Sequence, residues 1–210
     1  MLATEGTYPF HQGGVSTWCD SIIKNISDVD FVLFCIIMNP FVTQKYNLPP
    51  RAQMIKVPLW GTEEPSEHLT IPFSQVYLAK KNTVDSVVNE KFIPLFKELI
   101  DEIFSKEKDY IRFGSVLLEL HRYFENYEYK NSFKSQITWD VYKKYVINFT
   151  SSKENNMAKP NLYALVQSLG WIYRFLNILN TPIPEVHVAH SAAAAFCGIP
   201  PVLAKMKYKS

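Results

Sequence analysis

The chain has 210 residues, 47% of them hydrophobic, which is enough to bury a core in one domain carrying an elaborate insertion. Its 22 basic and 20 acidic side chains give a net charge of +2 and are mixed along the sequence, so no positive stripe of the kind nucleic-acid binding needs is present. Cys19, Cys35 and Cys197 are odd in number, far apart and set among apolar residues, which excludes a disulfide scaffold and points to reduced thiols in the cytoplasm.

The first feature in chain order is "EGTYPFHQGGVSTWCDSII", Glu5 to Ile23, which holds two of only seven glycines, Gly13 and Gly14. Val15 to Trp18, Ile22, Ile23 and Ile26 recur after it at helical spacing. A glycine pair feeding a helix start is read in two ways. It is a tight turn, or it is a loop whose free amides and helix dipole receive a phosphate. "FVLFCIIM", Phe31 to Met38, is an apolar run without polar alternation, as expected of a central parallel strand covered on both faces. "AQMIKVPLW", Ala52 to Trp60, gives another strand, closed by Pro58 and Gly61, and loop chemistry follows through "GTEEPSEH".

From Thr83 the pattern turns helical. Val88, Phe92, Leu95, Phe96, Leu99 and Ile103 form one face of an amphipathic helix starting near Thr83 or Asp85, with Pro94 as its kink. "YIRFGSVLLELHRYFENYEYK" predicts a second helix, "TWDVYKKYVINFTS", capped by Thr138, a third, and "NLYALVQSLGWIYRFLNILN" a fourth, after the polar linker "SSKENNMAKP". The fourth reads as a core helix rather than a membrane span because it carries Gln167, Arg174 and asparagines. After "TPIPE" come a strand at Val186–Ala189, the polar pair His190-Ser191 and an alanine-rich helix. The layout is that of a ligand crevice at the carboxyl ends of parallel strands. The predicted fold is α/β: one Rossmann-like parallel sheet, residues 1–210, with a helical insertion at about 83–160.

Of the titratable groups, His190 at a strand end is either a donor to a phosphate or sugar hydroxyl or a histidine bonded to backbone. His187 falls on the opposite face by period-two alternation, so a shared metal site is not expected. His121 lies within a helix with no second ligand at i+4 and reads as structural or surface; Cys19 reads as an inert thiol. Glu5 could serve a substrate hydroxyl, or be stabilised near a helix N-terminus without a role in chemistry. Phe124, Tyr127, Tyr129, Phe133 and Trp139 suit helix packing, a partner face or sugar stacking. Asn25-Ile26-Ser27 and Asn148-Phe149-Thr150 match the glycosylation acceptor pattern by chance, since the N-terminus has no basic segment followed by an apolar core and cleavage site.

"EGTYPFHQGGVSTW" closely resembles the opening signature of PelF-type glycosyltransferases, cytoplasmic enzymes of exopolysaccharide biosynthesis. "YNLPPRAQMIKVPLWG" and "LNTPIPEVHVAHSAAAAFCG" fit later segments of the same family. The resemblance implies a retaining GT-B enzyme of two Rossmann-like domains, with UDP-glucose as donor and a glycan as acceptor, no separate cofactor, and membrane-associated polysaccharide-assembly proteins as partners. Carried onto this chain, Gly13, Gly14 and Val15 are the phosphate-proximal loop, Glu5 and Tyr8 line the cleft, and His190 with Ser191 sit at the neighbouring strand end. Only "MLAT" precedes the signature, and the sequence stops at "KMKYKS" before the family's donor-binding domain. The expectation is an acceptor-side domain that transfers no sugar alone. The alternative is a noncatalytic interaction module of a polysaccharide-assembly complex.

Overall fold

The unalternating apolar run at Phe31 lies inside a parallel sheet. A computed structural model describes residues 1–155 and 157–209; Asn156, inside the expected linker, and Ser210 lie outside the described residues. Four parallel strands, β1 (Leu2–Glu5), β2 (Phe31–Ile37), β3 (Ala52–Pro58) and β4 (His190–Ser191), stand in the order β3-β2-β1-β4. Leu2 pairs with Leu33 on one side and with His190 on the other, while Phe34 pairs with Ile55. On one face of β2, Leu33, Cys35 and Ile37 join Leu2, Tyr8, Phe10, Cys19 and Ile23 in a core, and Phe34 and Ile36, which alternate with them, are also buried. Burial of both faces explains why this strand carries no polar alternation.

The chain forms two compact units. The first, Met1–Thr70 with the segment from Thr181 onward, contains the sheet, helix α1 (Gly14–Asn25) and a helix at Ile199–Tyr208. Gly6, at φ 58, turns the chain sharply at the end of β1, a left-handed conformation that a side chain would disfavour. The Arg51 guanidinium donates to the carbonyls of Ile23 and Ile26 and so closes the far end of α1. Between β2 and β3 the connection is irregular where a doubly wound sheet would carry a helix. The Lys45 and Tyr46 amides fasten it to the Pro9 carbonyl at 2.8 and 3.2 Å, and Val42, Tyr46 and Leu48 pack on the core.

The second unit, Ile71–Asn180, is helical and extends past both ends of the predicted insertion. Its elements are α2 (Phe73–Asn82), α3 (Asp85–Val87), α4 (Ile93–Phe104), α5 (Tyr110–Phe124), α6 (Tyr129–Phe133), α7 (Gln136–Ser151) and α8 (Leu162–Phe175). α2 was not predicted, because its apolar residues follow no helical stripe. None of its residues is buried, and Phe73, Val76, Tyr77 and Leu78 are exposed.

Pro94 acts through the turn before it. A proline has no N–H and its ring crowds the carbonyl four residues back, and here Val88–Phe92 widens into a π turn in which the Ile93 amide bonds to the Val88 carbonyl. The extra residue rotates the buried face: Ile93, Phe96, Leu99 and Ile100 are buried, whereas Leu95 is half-buried and Ile103 exposed.

Some helix starts are capped by side chains. Asp109 accepts from Ile111 and Arg112, and Asn161 from Ala164. Ser135, not Thr138, caps α7; the Thr138 hydroxyl donates instead to the Ser132 carbonyl at 2.7 Å.

Two further boundaries move. The predicted strand at Val186–Ala189 is irregular and pairing starts at His190, while Ala192–Ala195 forms bends rather than a helix. Ser191 Oγ donates to the Ala193 carbonyl at 2.6 Å, a local bond that offers this backbone an alternative to the helix.

Gly170 sits inside α8 with nothing within 4 Å of the place a Cβ would take. Gly170→Ala is therefore expected to stabilise the protein by roughly 0.5–1 kcal/mol, through helix propensity alone. A thermal melt reads this as a rise of about 1–4 °C; an unchanged or lower midpoint contradicts it.

Candidate functional site

In a sheet ordered β3-β2-β1-β4 the chain leaves β1 toward one edge, through α1 and β2, and returns to the other edge at β4. That reversal beside β1 is the position where open α/β sheets take ligands, outside the carboxyl ends of the strands. Gly14, Val15 and Trp18 from α1 and His190 and Ala192 from β4 and its exit line an open depression of about 360 Å³ beside that reversal, with His190 opening β4 opposite Leu2 at the start of β1.

Gly13 is the N-cap of α1 and supplies no side chain to the first turn, which holds no acidic residue either. The Thr17 amide and hydroxyl both bond to the Gly13 carbonyl, at 2.9 and 3.0 Å, so the turn is closed from within and its leading amides point outward. The positive end of the helix is thus left uncompensated by the protein, an arrangement suited to an anion. Space for one exists: no atom lies within 4 Å of a Cβ built on either Gly13 or Gly14.

Opposite the glycines, the exposed His190 ring lies 5.3 Å from the Trp18 ring, tilted by 40°. His190 is held by its backbone amide, which donates to the Met1 carbonyl at 2.9 Å, and its ring faces the depression. Trp18 is 44% exposed and enters this site as a flat aromatic wall, though the sequence showed it only as one residue of a helical repeat. Its place beside a glycine pair was the available signal.

The other predicted residues stand elsewhere. Glu5 accepts a hydrogen bond from the Cys197 amide at 3.1 Å, in the short turn Phe196–Gly198, which ties the end of β1 to the segment after β4. Ser191 is engaged with the Ala193 carbonyl and Cys197 Sγ. Tyr8 does not line the depression: it is fully buried, its ring 5.1 Å from Tyr46 and its hydroxyl donating to Asp20 at 3.2 Å. Burial, followed by the Asp20 carboxylate, holds that hydroxyl far above the usual phenol range. An aromatic among apolar neighbours goes to the core when the turn points it there, and the signature's spacing alone does not reveal which way the turn points.

The remaining candidates lie away from the depression. His121 is 1% exposed, with Nδ1 2.9 Å from the Leu179 carbonyl. Cys19, Cys35 and Cys197 are free and buried, and burial pushes the Cys19 thiol up to about 11 and that of Cys35 up to about 12. His187 is exposed and lies outside any strand. Among the described residues no group of three histidine, cysteine or acidic side chains is placed to hold a metal ion, and no helix is long and apolar enough to cross a membrane.

No curated protein and no solved structure matches the chain. The anion-suited helix start and the parallel sheet that carries it belong to one recognised sequence family, whose match runs over residues 1–210. The chain is a member of that family, the domain of unknown function DUF3492.

Proposed function

We propose that this domain is the acceptor-side, N-terminal half of a PelF-like glycosyltransferase that moves glucose or a related sugar from a UDP-sugar in exopolysaccharide biosynthesis. In this reading the first turn of α1 receives the donor's diphosphate. The observation that carries it is the α1 start at Gly13-Gly14: uncapped by any side chain, free of acidic residues, and opening on the depression shared with His190. Two further points support it. DUF3492 is a glycosyltransferase-associated domain, and the sheet is the Rossmann-like one that such enzymes use.

Sugar transfer from a nucleotide donor places growing negative charge on the departing diphosphate. Fixed N–H donors aimed at that charge lower the barrier, and losing one typically costs about a hundredfold or more in rate. The α1 amides supply part of this stabilisation, the imidazole of His190 can add a donor beside them, and Trp18 offers a face for a ring of the donor.

Titration of UDP and UDP-glucose against the protein tests this. Gly14→Val fills the open space without a clash, so it is expected to leave the fold intact and to weaken UDP binding at least about tenfold by displacing the phosphate from charge-assisted N–H bonds. Absence of UDP binding, or binding indifferent to this substitution, removes the phosphate role and leaves the chain a scaffold module.

A further inference from the structure

In the helical unit, α2 turns its aromatic side chains away from the protein. Its apolar residues lie on both sides of the helix, so no single stripe marks it. Ser74, Gln75, Leu78, Ala79 and Asn82 look across a groove of about 340 Å³ to Glu125 and Asn126, just past the end of α5, and three of these five α2 residues are polar. The other side carries Phe73, Val76 and Tyr77, which are 82%, 41% and 57% exposed. Spaced three and four residues apart, they are neighbours on the helix surface, and the Phe73 and Tyr77 rings lie 6.3 Å apart. Since no residue of α2 is buried, this cluster adds nothing to the core of its own unit.

Charge runs along the same side. Lys80 falls one turn beyond Val76 and Tyr77 and two beyond Phe73, and Lys81 stands next to it. Both lysines are exposed, and among the described residues neither makes an ion pair. Between Glu67 and Asp85 the chain carries no acidic residue, so α2 is a positive surface as well as an aromatic one. Lysines in a last turn also complement the helix dipole, which accounts for their position but not for the rings beside them. The centre of a protein–protein interface is depleted of lysine. Aromatic and aliphatic side chains beside lysines are instead the composition of a helix lying in the headgroup region of a bilayer. Ten residues give about 15 Å of helix, enough to lie on a bilayer and too short to cross one.

We propose that the outward side of α2 docks on an anionic lipid surface. Phe73, Val76 and Tyr77 enter the boundary between headgroups and acyl chains, and Lys80 and Lys81 meet the lipid phosphates. Charge complementarity selects this occupant: two lysines without a neighbouring acid in the sequence are attracted to a negative leaflet and gain nothing from a neutral one. Three apolar side chains and two charges give a weak, reversible attachment rather than an anchor. The contact lies in the helical unit and does not depend on what the first turn of α1 receives.

The test is co-sedimentation of the full chain with vesicles of phosphatidylcholine alone and of an equimolar mixture of phosphatidylcholine and phosphatidylglycerol. Binding to the mixed vesicles is expected, weakened by added salt, with at least about tenfold less to the neutral ones. Lys80→Gln with Lys81→Gln is expected to lower binding to the mixed vesicles about tenfold or more. Phe73→Ala with Tyr77→Ala is expected to lower it similarly. Alanine and glutamine are good helix formers and no α2 residue is buried, so both double variants are expected to melt as the parent does. Lys143→Gln with Lys144→Gln, which removes the same charge from α7, is expected to leave vesicle binding unchanged. Absence of binding to the mixed vesicles, or equal binding to both kinds, overturns the proposal. So does an equal loss on the α7 substitutions, which would make the attraction one of net charge only. A dimer in solution that Phe73→Ala with Tyr77→Ala dissociates also overturns it, in favour of a second copy of the chain.

Discussion

Replacing Phe92 by alanine is expected to destabilise the protein by about 3–5 kcal/mol, a large part of the 5–15 kcal/mol that a domain typically holds. Phe92 is fully buried at the end of the π turn, with ring centroids of Phe96, Tyr123, Phe124 and Phe133 at 5.5, 5.4, 5.9 and 5.1 Å. The ring thus joins three separate helices and the turn itself, so truncation opens a cavity that no single segment can collapse into. Phe92→Leu retains most of the burial and is expected to cost less, about 1–2 kcal/mol. Urea denaturation followed by far-ultraviolet dichroism measures both. A loss below about 1 kcal/mol for the alanine variant would show that this aromatic cluster is not the anchor of the helical unit.

Tyr8→Ala is expected to cost a similar amount, about 3–5 kcal/mol, because a fully buried aromatic side chain is removed from beneath the site. The Tyr8 carbonyl accepts from the Thr4 hydroxyl at 2.8 Å and from Cys35 Sγ, so the residue ties the turn after β1 to β1 and β2. The following segment leads directly to Gly13 and Gly14. Tyr8→Phe keeps the ring and loses only the hydrogen bond to Asp20, and is expected to cost about 0.5–2 kcal/mol. The pair also separates two roles. If Tyr8 supports the loop from within, Tyr8→Phe lowers stability slightly and leaves UDP affinity unchanged. A fall in UDP affinity with no change in stability would mean that the phenol reaches the ligand and that its burial is opened on binding.

The effects of these two substitutions differ in origin from that of Gly14→Val. Phe92 and Tyr8 act through packing, whereas at Gly14 the space is open and the consequence is confined to what occupies it. Stability and ligand affinity measured on the same variants therefore divide the residues into those that build the loop and those that face outward from it.

Much of this architecture was legible along the chain because short-range pattern decides it. A run such as Phe31–Ile37, apolar at every position, can be satisfied only between two covered faces. Helix starts were less legible: Thr138 reads as a cap in the sequence, whereas Ser135 holds that place and Asp109 and Asn161 cap α5 and α8. Which side chain meets the orphan amides of a first turn depends on where the chain turns into the helix. α2 escaped because nothing in its own unit buries it, so its sequence carries no stripe.

The site divides along the same line. Gly13 and Gly14 at a helix start are a local fact of the chain, readable from composition and spacing. Which residues face them was settled by pairing over a separation of nearly the whole chain: β4 joins β1, setting Leu2 against His190, and this brings the histidine to Trp18. The same long-range packing turned Tyr8 inward and drew Glu5 to the Cys197 amide. Backbone propensity and hydrophobic period act over a few residues and are written in order along the sequence, whereas the meeting of distant side chains depends on register and packing, which only the folded core imposes.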